Sequence, residues 1–217
     1  MSNDGTETAK PLLRGWLHAV AAPSAVVAGA VLVALASGSR ARVACAIYSV
    51  TVVVLFGVSA IYHRGSWSPK IWLLLKRLDH ANIFLAIAGS YTPFALLVLH
   101  GDVGIAILVV VWVGALAGVL MSVLWPQAPR AVIVPVYASL GCVAVPIMPE
   151  ILQNGGVGVF VLVAAGGAIY LMGGVAYALR KPKRSAWVFG YHEVFHACTI
   201  AAYLAQYAAI SIVAYRL

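Results

Sequence analysis

The sequence predicts an all-α membrane protein with seven transmembrane helices, and three observations support this fold class. The 217 residues are 63% hydrophobic and only 9% charged, whereas charged residues make up about 25% of a typical soluble domain. The mean hydropathy is +0.98. The apolar residues form long runs, each close to the ~20 residues that cross a bilayer core. We therefore expect one membrane domain at 16–217, preceded by a disordered polar tail at 1–15.

Seven apolar runs give the predicted helices, and turn-forming residues separate them. The breaks read "SGSRAR", "HRGSWSPK", "LHGD", "WPQAPR", "QNGG" and "RKPKRS" in order, and their Gly, Pro and Ser residues are typical of loops. The first run is too long for the apolar part of a signal peptide, so we expect it to remain as an anchor. The predicted spans are 16–37, 43–63, 79–99, 103–125, 131–150, 157–179 and 187–214.

One segment between the second and third runs does not fit a span. The stretch "WSPKIWLLLKR" at 67–77 is too short to cross a bilayer and is basic at its end. Trp67 and Trp72 are typical of residues at the level of the lipid headgroups. We therefore expect this segment to form an interfacial stub that is separate from the third helix.

The distribution of Lys and Arg predicts the orientation of the chain. With seven spans, eleven of the 14 basic residues fall on one side of the membrane, and only Arg40, Arg42 and Arg216 fall on the other. The positive-inside rule then places the N-terminus in the cytoplasm and the C-terminus outside. The net charge of +8 is explained by these short clusters near lipid headgroups, so we expect no nucleic-acid partner.

Polar side chains from three separate helices converge on the predicted cytoplasmic face. The second helix ends there with Ser59 and His63, and the third begins there with Asp79. The seventh helix also begins there, and its first turns carry His192 and His196. Ionisable residues inside a membrane are costly and usually functional. Their shared depth therefore predicts a site.

The residue types in this site suit a zinc ion. His192 and His196 are four residues apart, so they project from one face of a helix. With His63 they supply three nitrogens, and three protein ligands plus a water describe a catalytic Zn²⁺ site. Asp79 can hold the water or act as general base, and Ser59 can orient a ligand or bond a substrate oxygen. The alternative is a network of hydrogen bonds between helices without a metal.

A peptidase is a further alternative for part of this site. The stretch "HEVFH" at 192–196 fits the H-E-x-x-H pattern of zinc peptidases, with Glu193 as general base. Glu193 lies next to His192, however, about 100° around the helix, and it can face another helix or the headgroups. In a peptidase, Asp79 or His63 would complete the site, but the Ser-x3-His spacing of Ser59 and His63 has no role in that pattern. We therefore favour the site built from three helices.

The segments "SAIYHRGSW", "RLDHANIFLAIAGSYTPF" and "GYHEVFHACTIAAY" resemble the hemolysin III branch of the PAQR family. That family includes the adiponectin and progestin receptors, and it lies in a wider superfamily of seven-span hydrolases with the alkaline ceramidases. The resemblance covers all seven runs. It implies zinc on His63, His192 and His196, a water-contacting role for Asp79 and a supporting role for Ser59.

The resemblance also implies a function at the cell membrane, here the inner membrane of a bacterium. The leading expectation is a zinc-dependent hydrolase of lipid amide or ester bonds with a role in membrane homeostasis, whose partner is a membrane lipid. The alternatives are a receptor-like or sensor protein with a structural zinc, and a cytolysin. The sequence leaves the substrate and the oligomeric state open.

The remaining histidines and the cysteines are not predicted to join the site. His18 and His100 lie at the ends of runs, so we expect them at the membrane interface. His80 points away from Asp79 around the helix and is expected to contact headgroups or another helix. The three cysteines lie in separate runs, which argues against a disulfide or a thiolate metal site.

Overall fold

A computed structural model describes residues 15–181 and 190–216 of the protein. The predicted tail, except for Gly15, lies outside these residues, as does the start of the predicted seventh span at 187–189. Within the described ranges the chain is helical and contains no strand. Seven helices are long and apolar enough to cross a membrane, as predicted. They are α1 Trp16–Leu35, α2 Gly38–Arg64, α3 Pro69–Leu97, α4 Gly101–Leu124, α5 Arg130–Gly155, α6 Val157–Leu179 and α7 Tyr191–Tyr215.

The third helix is longer than the sequence indicated. It starts at Pro69 and continues without a break through Lys76 and Asp79 to Leu97. The expectation of a separate interfacial stub at 67–77 is therefore wrong. Proline is favoured in the first turn of a helix, and no Gly or Pro interrupts the segment between Pro69 and Asp79. Asp79 consequently lies almost three turns into α3 rather than at its start.

The fifth span is irregular. It begins as an α-helix at Arg130–Gly141, tightens into a 3₁₀ segment at Cys142–Ile147, and ends with a wider π-type turn at Ile151–Gly155. Pro146 lies inside the 3₁₀ segment, where a residue without a backbone N–H cannot continue the α-helical ladder. Non-helical backbone at membrane depth is tolerated where it is buried or lines a cavity. Several α5 side chains do line the cavity described below.

Three helices form the centre of the bundle. Within their most apolar windows, 61% of the residues of α3, 50% of α7 and 44% of α2 are buried, compared with 28% or less for the other four spans. The outer helices present Val, Leu and Ile side chains to the surroundings, as expected for a protein surrounded by lipid. The central helices are the ones that carry every predicted site residue.

The contact between α3 and α4 depends on a glycine. A Cβ atom placed on the buried Gly104 of α4 would lie 2.5 Å from the backbone carbonyl oxygen of Ala95 in α3. A backbone oxygen cannot rotate away as a side chain can. The backbones of α3 and α4 can therefore pack together here only because residue 104 has no side chain.

We predict that Gly104→Ala destabilises the bundle by about 1–3 kcal/mol, the usual cost of forcing extra atoms into a packed contact. Thermal unfolding of the detergent-purified protein measures the effect as a lower Tm. Gly167→Ala in α6 is the matched control, because a Cβ at Gly167 meets no atom within 4 Å. Equal melting temperatures for Gly104→Ala and wild type would contradict this packing.

Candidate metal centre

Three histidines from two helices meet inside the bundle. His63 lies in the last turn of α2, and His192 and His196 lie in the first two turns of α7. One ligand nitrogen from each lies within 4.8 Å of the other two. The Nε2 atoms of His63 and His192 are 3.1 Å apart. The structure thus brings together the three histidines that the sequence predicted as ligands.

The ligand nitrogens of the three histidines are close enough to one another to bind one metal ion. Two nitrogens on one tetrahedral zinc, each 2.0–2.1 Å from the ion, are separated by about 3.3 Å, and the observed 3.1 Å between His63 and His192 is close to that value. The donor set is purely imidazole, which suits zinc and several other transition metals. The same separation also suits a hydrogen bond between the two rings, which is the arrangement expected without a metal.

Asp79 and Ser59 lie beside the histidines. An oxygen of the Asp79 carboxylate is 3.8 Å from His63 Nε2, and the side chains of His63 and Asp79 are only 9% and 14% exposed. Ser59, one turn before His63, is buried and lies near the Asp79 carboxylate. The five predicted site residues therefore occupy one region, and the chemical roles assigned to them remain predictions.

Glu193 makes a different contact from the one that a peptidase requires. Its side chain is buried, and its carboxylate accepts a hydrogen bond of 2.8 Å from the backbone N–H of Gly190. A carboxylate in this position satisfies an otherwise unpaired donor at the start of a helix. Glu193 thus caps the start of α7, and this contact favours the three-helix site over the peptidase alternative.

His18 does not lie where the sequence predicted. It was expected at the membrane interface, but it is only 2% exposed and its ring stacks on that of His196, with 3.9 Å between the ring centroids and 7° between the planes. α1 starts at the same end of the bundle as α7, so His18 reaches the depth of the metal centre. The Nδ1 atom of His80 contacts the Lys76 carbonyl oxygen of its own helix at 2.7 Å, and not the headgroups or the other helix that the sequence led us to expect.

The histidines open onto a large cavity of about 860 Å³. Its lining on α3 extends from Trp72 to Phe94, which corresponds to about 33 Å along a helix and thus to the thickness of a bilayer core. Beyond the histidines, Asp79 and their neighbours, most of the lining is apolar and comes from α3, α5 and α6. The cavity combines one polar end with a long apolar interior.

A cationic side chain lines the polar end of this cavity. Arg130 is one of the eleven basic residues on the side predicted to be cytoplasmic. It packs between Tyr177 and Tyr191, with its guanidinium 4.4 Å and 5.0 Å from their ring centroids. It also donates a hydrogen bond of 3.2 Å to the hydroxyl of Tyr191. The sequence indicates this contact, because Arg130 begins α5 on the side of the membrane where α6 ends and α7 begins.

Comparison with known proteins reveals bacterial and animal relatives. "Hemolysin-3" of Bacillus cereus is 29% identical over 143 residues, which cover 66% of this chain and 65% of that protein. "Hemolysin-3 homolog" of Bacillus subtilis is 28% identical over 162 residues, 74% of this chain and 72% of the relative. "Adiponectin receptor protein" of Drosophila melanogaster is 27% identical, and the match covers 76% of this chain but 41% of the receptor.

The family profile described as "Haemolysin-III related" matches residues 6–207. The match includes all of α1 to α6 and most of α7, with the three histidines, Asp79 and Ser59. The relatives with the hemolysin-3 and adiponectin receptor names agree with the resemblance stated from the motifs. The chain is therefore a multi-pass membrane protein that belongs to the haemolysin-III related family, in the hemolysin III branch of the PAQR family.

Proposed function

We propose that this protein is a zinc-dependent hydrolase that cleaves an amide or ester bond of a membrane lipid. One observation carries the proposal: a cluster of three histidines, with a carboxylate beside it, lies at the polar end of a long apolar cavity. A site that only held the helices together would not need the cavity. A site that only bound a lipid would not need three imidazoles and an acid.

In this proposal His63, His192 and His196 hold the ion. When bound, zinc supplies a Lewis acid that polarises a carbonyl group and lowers the pKa of water to about 7. The Asp79 carboxylate orients the attacking water and accepts its proton. Ser59 lies near that carboxylate and fixes its position. Water then adds across the C–N or C–O bond and releases a fatty acid together with an amine or an alcohol.

The dimensions of the cavity support a lipid as the substrate. Its volume of about 860 Å³ lies in the upper part of the range for small-molecule sites, about 300–1,000 Å³. An acyl chain fits the apolar interior, and the scissile bond then lies at the polar end beside the histidines. A long substrate also gains binding energy far from the reacting bond, which can be used to position the carbonyl.

A receptor-like or sensor protein is the second candidate. The Drosophila relative is named as a receptor, and the same cavity could hold a lipid without cleaving it. In that case the metal would stabilise the contact between α2 and α7 and would be closed by a fourth protein ligand. The two candidates differ in whether the metal keeps a position open for water.

We predict that the purified protein binds about one zinc per chain, as measured by elemental analysis without chelators. His63→Ala and His192→Ala should each lose most of this zinc, because each removes one of three nitrogen ligands from a different helix. His100→Ala is the matched control, since that imidazole is 77% exposed and contacts Glu150, away from the cluster. If the wild-type protein contains no zinc, the hydrolase is ruled out, and the histidines form a network of hydrogen bonds between helices instead.

We also predict that Asp79→Asn keeps its zinc but loses about 10²–10⁴ in the rate of lipid hydrolysis, the usual contribution of a general base. The amide retains the shape of the carboxylate and cannot accept the proton. The measurement is the release of fatty acid from N-acyl amides and acyl esters in detergent micelles, with the zinc content determined in parallel. A zinc-loaded wild type that cleaves neither substrate class would favour the receptor-like candidate.

A further inference from the structure

The start of α1 packs directly over the metal centre, although no ligand was predicted from this helix. Gly15 has a φ of +80°, and a Cβ atom there would lie 2.7 Å from the Cβ of His63. The guanidinium of Arg64 lies over the ring of Trp16, 3.8 Å from its centroid. These contacts fix the first turn of α1 against the end of α2, next to one of the three candidate ligands.

His18 extends this contact to the second ligand helix. Its ring lies parallel to that of His196 at 3.9 Å and 7°, and it also contacts Phe56 of α2, with 4.9 Å between the centroids. Phe56 is completely buried, so it supports the His18 ring from a fixed position. The imidazole of His196 therefore has a rigid aromatic neighbour against one of its faces.

The nitrogens of His18 do not explain why this ring is buried. Within residues 15–181 and 190–216, neither ring nitrogen of His18 has a hydrogen-bond partner. A buried polar atom without a partner is unfavourable and calls for an explanation. The group of nitrogens close enough to share a metal ion comprises His63, His192 and His196, and His18 is outside that group. The contacts that His18 makes are through the faces of its ring.

We propose that His18 is a positioning residue of the metal centre, which holds the imidazole of His196 in the plane needed for coordination. This inference rests on the proposed metal site. A ligand nitrogen binds an ion along its lone pair, so any rotation of the His196 ring about its side-chain torsions moves the nitrogen away from the ion. The stacked His18 ring, supported by Phe56, blocks that rotation. Side chains that orient a metal ligand typically contribute 10–100-fold to metal affinity.

The test measures zinc affinity by competition with a chelating dye, in detergent and without any substrate. His18→Ala removes the stacking ring and should weaken zinc binding by about 10–100-fold. His18→Phe keeps an aromatic ring in the same place but removes both nitrogens, so it should bind zinc nearly as tightly as wild type. The visible spectrum of bound Co²⁺ gives a second readout, and it should change in His18→Ala but not in His18→Phe.

Leu32→Ala is the matched control for a general loosening of α1. Leu32 is completely buried in the same helix and lies 14 residues beyond His18, about 21 Å along the axis. This variant should lower the melting temperature and leave zinc affinity unchanged. A similar loss of affinity in Leu32→Ala would show that His18 acts only through the stability of α1, and would overturn the proposal.

Two further results would overturn the proposal while leaving the zinc site intact. Tight zinc binding by His18→Ala would show that the stack is not needed. Equal losses in His18→Ala and His18→Phe would assign the effect to the nitrogens instead of the ring face. Absence of zinc from the wild type would be a different failure, since it would remove the proposed function together with this inference.

Discussion

The cost of placing polar groups inside a membrane is the constraint on which this structure depends. Hydrocarbon offers no hydrogen-bond partners, so a buried imidazole or carboxylate is costly unless it finds its partner within the protein. His63 on α2 and His192 and His196 on α7 meet one another, and Asp79 on α3 meets His63. These contacts hold α2, α3 and α7 together as the centre of the bundle, and the outer helices enclose them.

The same constraint connects the fold to the proposed chemistry. The ionisable residues of the site gather at one end of the central helices, and the lining of the cavity beyond them is mostly apolar. A lipid has the same division between a polar linkage and an acyl chain. The irregular part of α5 contributes Cys142, Ile147 and Ile151 to that lining.

The sequence predicted the parts of the structure that depend on hydropathy and on the depth of polar residues in the membrane. Seven spans follow from the apolar runs, and the histidine cluster follows from the depth of three polar segments. The continuous start of α3 at Pro69 was missed because the short segment and its basic end, Lys76 and Arg77, suggested an interface, whereas helix continuity depends on backbone preferences. His18 was missed because the depth argument was not applied to α1, and ring stacking depends on side-chain geometry that periodicity does not report.

In the proposed site, the three histidines bind a zinc ion and leave one position for water. X-ray absorption at the zinc edge of the purified wild type tests it most directly, because the spectrum gives the type, number and distance of the ligands. We predict three nitrogens at 2.0–2.1 Å and one further oxygen. Sulfur at about 2.3 Å, which would place Cys45, Cys142 or Cys198 on the metal, would contradict the claim, and so would a fourth imidazole that closes the site.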